Sequence, residues 1–177
     1  MSTTDVRELT AWLAGPMPEA VPALREWGRD PEATPVIALG ARFDAVRVAD
    51  AVVHAAVGST AHATPAWFLA EYLQGAVIRD SGAYYALVPT RTARGWQAPA
   101  SRCLGRGSGL AVPHPSRRQG PRTHWAVPPE RVGDVCDPVR VADLARVGQE
   151  RLLDRPAPRR WSQPPHAPAV LDEGATT

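Results

Sequence analysis

Gly75-Ala76-Val77-Ile78-Arg79-Asp80-Ser81-Gly82-Ala83-Tyr84-Tyr85-Ala86-Leu87-Val88 reads as a β-hairpin. Two runs rich in β-branched and aromatic residues flank a turn at Asp80-Ser81-Gly82. The glycine there supplies the backbone freedom that a tight reversal needs. Pro89 lacks a backbone N–H and closes the second strand. A hairpin beside helical patterns excludes an all-helical chain, and the neighbouring segments fill in the class.

Upstream, Ala66 to Leu73 places Trp67, Leu69, Ala70, Tyr72 and Leu73 in a short helix, and Gly58 to Pro65 reads as a linker. Asp50 to Val57 is a further helix. Pro35-Val36-Ile37-Ala38-Leu39 is a buried strand ended by Gly40, and Phe43 to Val48 alternates as a second one. Asp5 followed by Glu8 resembles a capping box. It opens a helix whose face carries Val6, Leu9, Trp12 and Leu13 and which stops at Gly15-Pro16. Residues 16–35 carry five prolines and read as loop, with one or two helical turns between Val21 and Trp27.

Downstream come a strand at Arg102-Cys103-Leu104, the turn Gly105-Arg106-Gly107-Ser108-Gly109, a strand from Leu110 to Pro113, and another at His124-Trp125-Ala126-Val127. Val139 to Leu153 is an amphipathic helix using Val141, Leu144, Val147, Leu152 and Leu153. From Arg155 onward, prolines and small residues predict disorder. The class is α+β: a mixed, largely antiparallel sheet of six or so strands with flanking helices. Residues 1–32 form an N-terminal helix and proline-rich connector, 33–154 the domain, and 155–177 the tail.

The charge is unevenly spread. Between Asp80 and Glu130 lie 49 residues with no acid and seven arginines: Arg91, Arg94, Arg102, Arg106, Arg117, Arg118 and Arg122. Residues 1–80 carry −4 (10 acids, 6 arginines), 81–129 carry +7, and 130–177 carry −1 (8 acids, 7 arginines). All 20 cations are arginine, yet the overall charge of +2 is too small by itself to announce a nucleic-acid binder. The window allows three readings: contact with nucleic-acid phosphate, contact with an acidic protein partner, or a solvated surface. Tyr84, Tyr85, Trp96 and Trp125 interleave with the arginines as stacking platforms would, and also as sheet interiors would. Tyr84, Tyr85 and Trp125 are the stacking candidates.

Other chemistries find little support. Cys103 and Cys136 have no close-spaced partner, which predicts free thiols rather than a zinc knuckle or a disulfide framework. Gly105 to Gly109 lacks the Gly-Lys-Ser/Thr ending of a phosphate loop and is followed by a strand pattern, so a turn between strands is expected. The five histidines never approach ligand spacing, and no nucleophile-elbow pattern surrounds Ser81, Ser108 or Ser116. Asp44 and Asp50 flank the second strand at a span of roughly 20 Å, too long for one metal. No catalytic residue, metal site or cofactor is expected. No apolar run approaches ~20 residues and the N-terminus is acidic-polar, so neither a membrane span nor a secretory leader is expected, and the location reads as cytoplasmic.

Leu104-Gly105-Arg106-Gly107-Ser108-Gly109-Leu110-Ala111-Val112-Pro113-His114-Pro115-Ser116 resembles the strand, glycine-rich turn and strand of the prim-pol domain, the bifunctional DNA primase/polymerase fold. The resemblance is to its short, stand-alone actinobacterial type. His124-Trp125 echoes that family's later aromatic strand. Val36 to Gly40 with Phe43 to Val48 looks like its early strand pair, and Ser81-Gly82-Ala83-Tyr84-Tyr85 like the segment before its catalytic histidine. The resemblance covers about residues 33–129.

What it implies for catalysis is loss. The family's Asp-x-Asp pair appears here as Val48-Ala49-Asp50, which keeps one acid. Tyr84 and Tyr85 stand where the histidine should follow, and Arg102-Cys103 where the third acid should be. Nucleotidyl transfer in that family needs carboxylates to hold divalent metals. The resemblance therefore implies a catalytically degenerate copy, with Asp50 as its residual acid. Three functions are open: a non-catalytic protein binding nucleic acid or nucleotide through the arginine-rich surface, a protein–protein adaptor or regulatory subunit on the same scaffold, and an active DNA primase or polymerase.

Overall fold

A computed structural model describes residues 3–58 and 66–154. In chain order the elements are α1 (Thr3–Ala14), α2 (Ala20–Arg29), β1 (Val36–Ala38), β2 (Asp44–Ala49), α3 (Asp50–Val57) and α4 (Ala66–Leu73). They continue as β3 (Val77–Asp80), β4 (Ala83–Val88), a short 3-10 turn (Thr92–Arg94), β5 (Ser101–Leu104), β6 (Gly109–Ala111), β7 (His124–Val127) and α5 (Pro138–Leu153). The hairpin between β3 and β4 is tighter than its sequence suggests. Asp80 pairs with Ala83, and Ser81 (φ 38°) with Gly82 (φ 80°) makes a two-residue loop with both central residues left-handed.

The class is α+β. Five strands in the order β5-β2-β4-β3-β7 form one sheet, and β1 and β6 form a separate pair. Every pairing is antiparallel. Both faces of the large sheet are covered. On one side α1, α2 and the β1–β6 pair bury Leu13, Trp27, Ile37 and Leu110 against Ala45, Ile78, Leu87 and Trp125. On the other, α3, α4 and α5 bury Val53, Leu69 and Leu144 against Val46, Val77, Tyr84 and Val88. Helices α3 and α5 touch backbone to side: a Cβ at Gly148 would sit 2.2 Å from the Val52 carbonyl oxygen.

Two expectations change. Residues 16–35 hold a ten-residue helix, α2, longer than the one or two turns expected between Val21 and Trp27. Pro22 occupies its first turn, where a missing N–H costs no hydrogen bond, and Ala20, Ala23 and Trp27 bury one face. Leu9, Trp12 and Leu13 of α1 lie in the same core cluster as the sheet. Asp5 falls inside α1, which starts at Thr3, and so does not precede the helix as a cap. The linker from residue 59 and the tail from Arg155 lie outside the described residues. Among the described residues no helix is long and apolar enough to cross a membrane.

The glycine-rich turn from Gly105 to Gly109 joins strands of different sheets: β5 pairs with β2, and β6 with β1. The chain also changes sheet at Gly40, between β1 and β2. These two crossings pack together. A Cβ at Gly40 (φ 90°) would lie 2.8 Å from the Arg106 backbone, so only glycine lets the turns approach.

Candidate functional site

The crossing point builds a cavity. Asp44 opens β2 and is buried, 1% exposed. Its Oδ2 accepts a hydrogen bond from Ala93 N–H at 2.9 Å, which pins the 3-10 turn onto the sheet. Thr92 Oγ1 donates to the Pro89 carbonyl at 2.6 Å, and Arg91 takes a left-handed φ of 71° to start the turn. Arg91 and Arg94 are thereby brought beside Arg106 from the glycine-rich turn. Together with Gly40, Asp44 and Ala93 they line a cavity of about 190 Å³. A larger cavity of about 560 Å³ shares Gly40 and Arg106 with it and is walled by Pro16, Val36, Leu39 and Ala41 among others.

Electrostatically this corner gathers three cations around one buried acid, Asp44. Among the described residues no carboxylate oxygen lies within 4.0 Å of the Arg91, Arg94 or Arg106 guanidinium. The surface expected to be acid-free is acid-free only along the chain, since the fold inserts Asp44 into its floor. Beside it, burial and then the Asp44 charge push the Cys103 thiol up to about 12, so it stays protonated and unreactive.

A second group lies on the face of the large sheet that carries α1 and α2. Register pairs Arg102 with Arg47, Arg47 with Tyr85, Tyr85 with Ile78, and Ile78 with Trp125, one row across all five strands. Arg102 and Arg47 are exposed and Tyr85 is half-buried. Like charges directly opposite on a sheet are destabilising, and neither arginine has a carboxylate partner among the described residues.

Several of the remaining sequence candidates serve the fold. Trp125, a stacking candidate, is 1% exposed, and its Nε1–H donates to the carbonyls of Pro113 (3.2 Å) and His114 (3.1 Å). Tyr84, another, is buried against the helical layer beneath Arg79 (5.3 Å from guanidinium to ring centroid) and beside His54. Neither offers a face to a base. Arg117 is buried as well. It donates from Nη1 to the Glu32 carbonyl and places Nε 3.3 Å from the Glu32 carboxylate. That ties the loop before β7 to the end of α2. Arg118 and Arg122 are exposed in the same loop, away from the cavity lining. Asp50 heads α3 and pairs with Arg79 at 3.0 Å. Among the described residues no three His, Cys, Asp or Glu side chains gather as a metal site.

Sequence reading passed over two residues that matter here. Asp44 stands out only as an acid that opens a strand beginning with a run of buried positions. Arg47 lies outside the basic window, and its signal is the outward position in the burial pattern of β2. No family model, curated protein or solved structure matches this chain.

Proposed function

We propose that this chain is a non-catalytic, prim-pol-like protein that binds nucleic acid or a nucleotide by its phosphates. The observation that carries the reading is the meeting of Arg91, Arg94 and Arg106, three guanidinium groups without carboxylate partners among the described residues, on one concave corner. Guanidinium presents a planar fork of donors that matches phosphate oxygens, and a concave site strengthens each contact by excluding water. Arg47 and Arg102 extend the cationic surface along the sheet, with Tyr85 beside them as a partial stacking surface. Asp50 bound to Arg79 supports the absence of nucleotidyl transfer, because a single paired carboxylate cannot hold the metals that reaction needs.

Fluorescence anisotropy with a labelled single strand, read across a salt series, tests this. Binding is expected to fall steeply with salt. In the triple variant Arg91→Ala, Arg94→Ala, Arg106→Ala the slope of log affinity against log salt should shrink by about 2. Binding that ignores salt, or none at high micromolar protein, removes the reading. Primer extension with Mg²⁺ or Mn²⁺ that is lost in Asp50→Ala would overturn the non-catalytic half.

A further inference from the structure

The charge and size of the arginine-lined cavity bear on which kind of phosphate it takes. Its lining carries three arginines and one aspartate, a formal balance of +2. A phosphate inside a nucleic-acid strand is a diester, with one negative charge and two unesterified oxygens. A phosphate at the end of a strand or on a free nucleotide is a monoester. It carries close to two negative charges at neutral pH and offers three strong acceptor oxygens. The monoester therefore balances the charge of the lining and has one such oxygen for each of the three guanidiniums. The diester leaves one positive charge and one arginine unmatched.

The size of the site agrees. At about 190 Å³ the cavity falls below the usual range for an organic ligand, about 300–1,000 Å³, and suits a phosphoryl group rather than a whole nucleoside. The neighbouring cavity of about 560 Å³, joined through Gly40 and Arg106, offers room for the esterified remainder beside Pro16, Val36, Leu39 and Ala41. Arg47 and Arg102, exposed on the sheet, set no such limit on what they meet.

We propose that the arginine-lined cavity selects phosphomonoesters over phosphodiesters, so that it reads a phosphorylated end rather than the interior of a strand. The inference rests on the phosphate reading above and narrows it.

Isothermal titration of the full chain at neutral pH and fixed ionic strength tests it with phenyl phosphate and methyl phenyl phosphate, which differ by one methyl group and one charge. Phenyl phosphate is expected to bind about tenfold more tightly, the worth of one added charge-assisted hydrogen bond. In Arg94→Ala, with two guanidiniums left for three oxygens, the preference should shrink to about twofold or less. Equal binding of both probes by the natural chain, or binding of neither at millimolar concentration, overturns the inference. The salt series on a labelled strand decides the phosphate reading separately, so the two failures are distinguishable. A preference of unchanged size in the triple variant Arg91→Ala, Arg94→Ala, Arg106→Ala also overturns the assignment to this cavity. The comparison of probes on the natural chain holds even if a variant folds poorly. One strand made with a 5′-phosphate, with a 3′-phosphate and with neither distinguishes the sources. Tighter binding of a phosphorylated strand assigns the site to a strand end. Equal affinity of all three, with the phenyl phosphate preference retained, assigns it to a free phosphomonoester of nucleotide size.

Discussion

The row Arg102, Arg47, Tyr85, Ile78 and Trp125 crosses one face of the sheet and ends in opposite environments. At the β7 end Trp125 is buried and its indole N–H is satisfied by two carbonyls. At the β5 end two arginines face each other in solvent. The covered end also claims a cation: Arg117, whose carbonyl accepts the Trp125 backbone N–H at 3.0 Å, is buried against Glu32. Arg102 and Arg117 thus come from one basic stretch and do opposite jobs. One cross-links the fold, and the other leaves an unneutralised charge at its surface.

The largest effect that would test this contrast is on stability. Trp125→Ala should cost about 3–5 kcal/mol in urea unfolding, as truncation of a fully buried aromatic does. A cost below 1 kcal/mol would mean that this end of the row is not core. Arg117→Ala should cost about 2 kcal/mol, through the lost bond to the Glu32 carbonyl and the lost packing of its stem. Its salt-dependent affinity for a single strand, measured on folded protein, should be unchanged. Loss of binding without loss of stability would move Arg117 to the functional group. Arg106→Ala should show the reverse: unfolding free energy within about 0.5 kcal/mol of the natural chain and a clear loss of affinity. The smallest effect is a gain. Arg102→Ala should stabilise by a few tenths of a kcal/mol, roughly 0.2–0.5, by relieving the repulsion with Arg47, while weakening nucleic-acid binding. A destabilised Arg102→Ala would imply a structural role that its exposed position does not suggest.

Elements were legible wherever the pattern was local. Ala66–Leu73 and Asp50–Val57 form helices over the residues their patterns predicted, and the hairpin pairs as its turn requires. Only the centre of α2 was legible, because five prolines outweighed the burial period of Ala20, Ala23 and Trp27, although Pro22 falls where a helix tolerates it. The basic window was legible as charge, but its division into structural and exposed arginines was not. Arg117 is claimed by Glu32, 85 residues upstream. Asp44 is brought to Ala93 across 49 residues.

By itself the sequence determined the class, most of the elements and the lack of the usual metal-binding carboxylates in the basic window. Those follow from side-chain periodicity, turn chemistry and residue identity, which act over a few neighbouring positions. Only the tertiary structure decided which arginines keep their charge unneutralised, which aromatics are buried, and that a carboxylate lies beneath the cationic corner. Solvent exclusion and charge pairing depend on what packs against a group, and in this fold the partners arrive from distant parts of the chain.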